Sequence, residues 1–269
     1  MWPRSRRPRY AWALALWAGL TFAACKQPAQ PRTDEAAKGP EQKSAENSPG
    51  PPARKNILAR KKKLYSQHDE EVIIRDFFQD RRGGFFLDVG CAGPKKDSNT
   101  YYLESELGWS GFVIDALPEY AEAWKRRRPK SRFFNYIVTD KAGPDQTFFR
   151  SELPGISSIQ PRKTFSGKEV KYSEIKVPTT TLTKLLDDNH VSKVDLLSMD
   201  IEGAELLALA GFDIDRFRPE LVCIEAYHVG RDKVLAYFTA HGYEAIERYR
   251  ERDKVNDYFT PRAGDKPTR

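Results

Sequence analysis

An acid and two glycines stand close together in the stretch FFLDVGCAG, at Asp88, Gly90 and Gly93. Glycine has no Cβ, so it lets the backbone turn tightly and approach a ligand closely, although such turns also occur without a ligand. Asp115 ends the next apolar run, 27 residues after Asp88. A carboxylate in that position can accept hydrogen bonds from both hydroxyls of a ribose. Together these residues predict a site for a cofactor that contains a nucleoside.

The spacing of the glycines argues against a dinucleotide cofactor. A dinucleotide-binding loop has the pattern GxGxxG, whose second and third glycines admit a pyrophosphate and let the helix pack. From Gly90 this chain reads GCAGPK, with Ala92 and Lys95 in those two places. The loop therefore disfavours a pyrophosphate, and an acid two residues before the first glycine suits a cofactor that carries an ammonium group.

A second group of candidate residues follows two later apolar runs. Asp200 and Glu202 lie two residues apart in the turn DIEG, where they could orient or deprotonate a hydroxyl group of an acceptor. His228 follows the next run, after Glu225, and could act as a general base near neutral pH. The alternatives are that Glu202 and Glu205 are acids stabilised by a helix dipole and that His228 is a surface residue. We predict Asp200, Glu202 and His228 as catalytic residues.

Three further side chains are candidates for cofactor contacts. Asn99 and Thr100 could cap a helix, face the cofactor, or do both. Asp140 ends a third apolar run and could reach the adenine amino group. The sequence contains no CxxC pair and no cluster of cysteine and histidine, so we predict no metal site.

Short apolar runs separated by helical patterns must position these residues. This alternation predicts an α/β fold with a doubly wound, mostly parallel sheet and helices on both faces. In such sheets ligands bind beyond the carboxyl ends of the strands. The segment 146–177 reads as short strands or an insertion over one end of the sheet, and 242–260 as an antiparallel hairpin at its edge. The predicted strands are 85–90, 111–116, 132–138, 194–200 and 220–227, and the predicted helices are 66–80, 99–107, 118–128, 180–188, 204–211 and 231–241.

The N-terminal segment, residues 1–25, reads as a signal peptide or lipoprotein signal. Arginines precede an apolar run at 10–24 that is too short to span a bilayer comfortably. The run ends in FAAC, which resembles the lipobox of bacterial lipoproteins and predicts membrane attachment through a lipidated Cys25. An uncleaved N-terminal anchor and a wrongly assigned start are the alternatives. Residues 26–64 are rich in Pro, Lys and Glu and predict a disordered tether, which leaves 65–269 as the folded domain.

The formal net charge of +7 does not indicate a nucleic-acid partner. Residues 1–65 hold 14 Lys or Arg against 4 Asp or Glu, so the rest of the chain is slightly acidic. The global charge is therefore a property of the N-terminal segment rather than of a binding surface on the domain.

The motifs DVGCAG, SNTYYLESELGWSGFVIDALPEY and VDLLSMDIEGAELLALAG resemble those of the FkbM-type methyltransferase family, over roughly Phe85 to Phe259. The resemblance implies a Rossmann-like seven-stranded sheet that binds S-adenosylmethionine. It places Asp88, Gly90 and Gly93 around the methionine part of the cofactor and Asp115 on its ribose. It also implies O-methylation of a hydroxyl on a sugar, glycan or other small acceptor. Many members have Ala-Asn-Asp-Gly after the first glycine, whereas this chain has Cys-Ala-Gly-Pro.

Two other functions and a question of location remain open at this point. The chain could be a catalytically silent binding module exported to the cell envelope, or a nicotinamide-dependent oxidoreductase, which the missing glycines disfavour. The N-terminus predicts a membrane-associated envelope lipoprotein. Because S-adenosylmethionine is made in the cytosol, the alternative is a domain that faces the cytoplasm.

Overall fold

A computed structural model describes residues 54–59 and 64–264. The predicted signal, with Cys25, and most of the predicted tether lie outside these residues, so both remain predictions. Residues 54–59, which the sequence assigns to the tether, contact the domain. Ile57 is buried, and Arg252 Nη1 donates a hydrogen bond of 2.8 Å to the carbonyl oxygen of Leu58. Within the described part of the chain, no helix has the length and apolar character needed to cross a membrane.

Helices and strands alternate along most of the described chain, as predicted. The strands are β1 Phe85–Val89, β2 Ser110–Asp115, β3 Ser131–Asn135, β4 Ile137–Val138, β5 Gly143–Ser151, β6 Thr164–Phe165, β7 Lys168–Glu169, β8 Tyr172–Thr180, β9 Leu196–Met199, β10 Leu221–Glu225, β11 Tyr243–Ala245 and β12 Asn256–Pro261. The helices are α1 Glu70–Phe78, α2 Tyr101–Ser105, α3 Ala121–Arg127, α4 Leu182–Asp188, α5 Glu205–Ala210, α6 Ile214–Phe217, α7 Arg231–Ala240 and α8 Glu247–Arg250, with a 3₁₀ turn at Pro118–Tyr120.

The main sheet has seven strands in the order β11-β12-β10-β9-β1-β2-β3. The pairs from β10 to β3 are parallel, and β12 runs antiparallel between β10 and β11. This arrangement confirms the predicted Rossmann-like sheet and its antiparallel C-terminal hairpin. The carboxyl ends of β1, β2 and β9 therefore meet at one edge, which is the edge where the sequence predicted the site.

Two apolar clusters cover the two faces of this sheet. Side chains alternate along a strand, so Leu87 and Val89 of β1 pack in one cluster and Phe86 packs in the other. The first cluster includes Leu185 of α4 and Phe238 of α7, and the second includes Ile73 of α1 and Leu103 of α2. Helices therefore pack on both faces, as the sequence predicted.

The run 132–138 was predicted as one strand, and the structure divides it between two sheets. β3 pairs with β2 in the main sheet, whereas β4 pairs with β8 in a three-stranded sheet, β4-β8-β5. Asn135 Nδ2 donates a hydrogen bond of 2.9 Å to the carbonyl oxygen of Asp115, and Ile137 packs against Ala116 and Val177. The insertion predicted at 146–177 thus begins earlier and forms the long hairpin β5–β8.

Arg128 holds the loop that follows β1. Its side chain is buried, and its Nε donates a hydrogen bond of 2.6 Å to Glu104 Oε2. Its two terminal nitrogens donate to the carbonyl oxygens of Pro94, at 3.0 Å, and Thr100, at 3.2 Å. A guanidinium has five N–H groups in a fixed plane, so one side chain fixes several backbone carbonyls at once. Trp124 Nε1 adds a bond of 2.7 Å to the carbonyl oxygen of Ala92.

Candidate functional site

A cavity of about 650 Å³, counting its open mouth, lies at the carboxyl ends of β1, β2 and β9. Gly90, Asp115, Asp200 and Glu202 all line it, so the fold brings four of the predicted site residues together. The insertion forms the opposite wall, through residues that include Phe148.

The turn that follows β9 leaves no room for a side chain at Gly90. Its φ is +82°, and a Cβ at this position would lie 1.7 Å from the backbone oxygen of Asp200. Glycine here therefore lets the turns after β1 and β9 meet at the cavity. Gly93 differs, because a Cβ there would have no neighbour closer than the oxygen of Lys96 at 3.9 Å, and Gly93 does not line the cavity.

Asp115 presents a carboxylate to the cavity. Its Oδ2 accepts a hydrogen bond of 2.9 Å from the backbone N–H of Ala92, and its Oδ1 accepts one of 2.8 Å from that of Leu117. Each oxygen keeps a further lone pair, which suits a pair of hydroxyls. Burial raises the pKa of Asp115 to about 6, and the charges of Glu119 and Asp88 add to this effect. The carboxylate is therefore mostly ionised at neutral pH.

The predicted residues Asp88, Asn99 and Thr100 interact with the protein itself. Thr100 Oγ1 donates a hydrogen bond of 2.7 Å to Asp88 Oδ2, and Asn99 Nδ2 donates one of 3.1 Å to Ser198 Oγ. Burial raises the pKa of Asp88, against the opposing effects of Thr100 and Arg128. The three side chains lie outside the cavity wall, and the side chain of Thr100 does not cap α2. Their contact with a cofactor remains a prediction.

Asp140 lies away from this site. It is exposed, it does not line the cavity, and its nearest cation is Lys141 Nζ at 4.0 Å. The predicted strand does end at Val138, but its last part, β4, belongs to the three-stranded sheet and not to the main one. The structure therefore gives no support to the prediction that Asp140 contacts the adenine.

Four carboxylates and a histidine form the second half of the site. His228 Nε2 lies 3.4 Å from Glu225 Oε1 and 3.5 Å from Glu202 Oε2. Glu205 begins α5, and its Oε1 accepts hydrogen bonds from the backbone N–H groups of Ile201, at 3.0 Å, and Gly203, at 3.2 Å. Glu205 therefore holds the DIEG turn, in which Glu202 takes a left-handed φ of +59°. His228 does not line the cavity itself but contacts Glu202, which does.

Crowding and burial shift the pKa values in this cluster. Burial raises the pKa of Asp200 to about 7 and that of Glu225 to about 9, and repulsion from the neighbouring acids adds to both. Burial also raises the pKa of Glu202 and of Glu205. The pKa of His228 is lowered by burial and by the charge of Arg162. At neutral pH the imidazole is therefore uncharged and able to accept a proton.

Two residues of this site, Arg162 and Glu225, had no predicted role. Arg162 lies between β5 and β6 in the insertion, and its Nη2 forms an ion pair with Glu202 Oε2. Nothing in the sequence pattern connects the two residues, which are 40 positions apart. Glu225 had a usable signal, because it ends a strand of the main sheet just as Asp115 ends another.

The chain is similar to solved structures of SAM-dependent methyltransferases. The solved structure of a TehB-like SAM-dependent methyltransferase from Corynebacterium glutamicum is 17% identical, with a TM-score of 0.40, and the match covers 77% of this chain and 93% of that one. A SAM-dependent methyltransferase from Geobacter sulfurreducens, in complex with S-adenosyl-L-homocysteine, is 10% identical, with a TM-score of 0.35 and coverage of 71% and 70%. Likenesses this weak say nothing about what this chain binds or does.

Family membership follows from the sequence match. No curated protein matches the chain. The family model described as the methyltransferase FkbM domain matches residues 88–245, which is more than half of the 269 residues. The matched range includes the glycine turn, Asp115 and the whole acidic cluster. The chain therefore belongs to the FkbM methyltransferase family.

Proposed function

We propose that this protein transfers a methyl group from S-adenosylmethionine to a hydroxyl group of a sugar or another small acceptor. The family uses S-adenosylmethionine as its methyl donor. The observation that carries the proposal is a single cavity with a ribose-type carboxylate, Asp115, on one wall and the Asp200–Glu202 turn on another. One wall suits a nucleoside and the other suits an acceptor.

The residues present fit the cofactor. Asp115 offers free lone pairs to the two ribose hydroxyls, and the side chains of Ile114, Leu117 and Val138 give apolar walls that suit a flat heterocycle. Gly90 keeps the floor of the cavity free of a side chain. When bound, S-adenosylmethionine supplies an electrophilic methyl group, so the protein mainly has to position the acceptor oxygen in line with it.

The acidic cluster suits the acceptor side of the reaction. Glu202 reaches the cavity and contacts His228, whose lowered pKa keeps its imidazole uncharged near neutral pH. This pair can accept the proton that a hydroxyl group loses on methylation. The apolar side chains of Phe148 and Ile159, from the insertion, line the cavity and limit the access of water.

Methyl transfer to a hydroxyl oxygen gives a methyl ether, which alkali does not hydrolyse. The purified chain is incubated with methyl-labelled S-adenosylmethionine and a panel of monosaccharides, glycosides and small carboxylic acids. We expect label on hydroxyl acceptors, as methyl ethers that survive alkaline hydrolysis. Label confined to carboxylic acids and released by alkali as methanol would contradict O-methylation of a hydroxyl. A heat-denatured sample of the same chain is the control for non-enzymatic methylation.

The raised pKa of Asp115 predicts a pH dependence of cofactor binding. The ribose hydroxyls bind the ionised carboxylate, which is lost as the pH falls through about 6. Affinity for S-adenosylhomocysteine should therefore be about tenfold lower at pH 5 than at pH 7, since one pH unit below a pKa leaves about a tenth of the group ionised. Calorimetry across this range measures the change. Asp115→Asn, which cannot ionise, should bind weakly at both pH values, and an unchanged pH dependence in that variant would assign the effect to another group.

A further inference from the structure

Five side chains of metal-ligating type converge where β9 and β10 end. The ligand atoms of Asp200, Glu205 and Glu225 lie within 4.8 Å of one another, and so do those of Glu202, Glu225 and His228. Glu225 belongs to both groups, which therefore adjoin. We call the first three residues the inner acids.

Each inner acid has a buried oxygen with no hydrogen-bond partner. These atoms are Asp200 Oδ1, Glu205 Oε2 and Glu225 Oε2. The Glu205 residue is 0% exposed and Glu225 is 6% exposed, so water does not readily supply the missing donors. A buried carboxylate oxygen without a partner costs free energy, and native proteins rarely keep one. Asp200 and Glu225 lie close enough to share a proton in a side-chain hydrogen bond, whereas Glu205 Oε2 has no donor. A cation that displaces this proton would satisfy all three oxygens.

The protein itself supplies little positive charge here. Within residues 54–59 and 64–264, the ion pairs of the cluster involve Arg162, which binds Glu202, and His228, which lies between Glu202 and Glu225. Neither forms an ion pair with Asp200 or Glu205. Burial is the main cause of the raised pKa values described above, and the packing of acids without a counterion adds to it.

We propose that Asp200, Glu205 and Glu225 bind a divalent metal cation such as Mg²⁺ or Mn²⁺, next to the Glu202–His228 pair. Carboxylate oxygens are the ligands that these hard cations prefer. Three atoms no more than 4.8 Å apart can share a centre within about 2.8 Å, and small side-chain rotations would bring them to the Mg²⁺–oxygen distance of about 2.0–2.1 Å.

The absence of a cysteine and histidine spacing in the sequence predicted no metal site. Carboxylate ligands leave no such pattern, and these come from two strand ends and a helix start. The cation would lie beside the cavity, where Asp200 and Glu202 line the wall. If the proposed methyl transfer is correct, the cation can also bind the acceptor hydroxyl and lower its pKa. Binding of the metal itself does not depend on that function.

The test is a metal titration of the full chain. The protein is stripped with a chelator and titrated with Mn²⁺, and free Mn²⁺ is followed by electron paramagnetic resonance. We expect one Mn²⁺ bound per chain and a rise in melting temperature on binding. Glu205→Gln and Glu225→Gln should each weaken binding by at least about tenfold. Glu244→Gln, which removes an exposed acid from β11, should leave it unchanged.

Each outcome decides the proposal. Near-ultraviolet circular dichroism first shows that the variants are folded, which we expect because the carbonyl oxygen of glutamine can still accept the backbone hydrogen bonds that Glu205 Oε1 accepts. No binding of Mn²⁺ by the folded wild-type chain at millimolar concentration overturns the inference, as does wild-type affinity in both variants. Binding of S-adenosylhomocysteine is measured on the same sample. Mn²⁺ binding without S-adenosylhomocysteine binding would keep the metal site and reject the proposed function, and the reverse result would reject the metal site alone.

Discussion

Replacing Asp115 with alanine is expected to weaken binding of S-adenosylhomocysteine at least about a hundredfold. The carboxylate lines the cavity and keeps a free lone pair on each oxygen beside its bonds to Ala92 and Leu117. A hydrogen bond to a charged group contributes about 1.5–3 kcal/mol. Losing two of them therefore costs about 3–6 kcal/mol, and each 1.4 kcal/mol is about a factor of ten in affinity. Isothermal titration calorimetry measures the loss.

The control for this variant is Asp145→Ala. Asp145 is an exposed acid on β5 that does not line the cavity, so its loss changes the net charge equally without touching the site. We expect it to bind as the wild type does. Because Asp115 also accepts backbone hydrogen bonds from two loops, the melting temperature of the variant is recorded as well. Wild-type affinity in a folded Asp115→Ala protein would show that Asp115 does not bind the ribose hydroxyls.

Replacing Gly90 with alanine is expected to destabilise the domain by about 2–5 kcal/mol. The new Cβ would lie 1.7 Å from the backbone oxygen of Asp200, so one of the two turns must move. Overpacking costs about 1–3 kcal/mol, and the left-handed φ of +82° adds about 1–2 kcal/mol for a residue with a Cβ. For a domain of this size, the loss lowers the melting temperature by at least about 4 °C.

Gly93→Ala gives the matched comparison, because the two glycines stand in the same loop. Its Cβ would meet only the oxygen of Lys96 at 3.9 Å, an ordinary contact. We expect its stability to stay within about 1 kcal/mol of the wild type. Thermal unfolding of both variants, followed by circular dichroism, separates the two positions. Equal melting temperatures would show that the contact between Gly90 and Asp200 is not the constraint that the geometry indicates.

Much of the fold followed from local pattern. Buried parallel strands are short apolar runs, so Phe85–Val89 and Leu221–Glu225 stand out in the sequence. Because parallel strands place their carboxyl ends at one edge, the positions of Asp115 and Asp200 at the cavity followed as well. The family match over residues 88–245 confirms the resemblance that the motifs gave.

The local pattern gave a wrong prediction where one run of residues is divided between two sheets. The run 132–138, RFFNYIV, reads as one strand, and its pattern does not show that the chain leaves the main sheet after Asn135 to join β8. The prediction that Asp140 contacts the adenine assumed that this whole run lies in the main sheet. Thr100 looked like a helix cap, but its hydroxyl is used by Asp88, a contact that depends on how β1 and α2 pack.

The sequence by itself determined most strands of the main sheet, their direction and the acids at their ends, because periodicity and strand polarity are local properties of the chain. Only the tertiary structure decided that Glu225 joins Asp200 and Glu205, that Arg162 reaches Glu202, and that Gly90 must be a glycine. Those relations are distances between segments far apart in the chain. They are set by the order of strands in the sheet and by the path of the insertion, which no spacing of residues records.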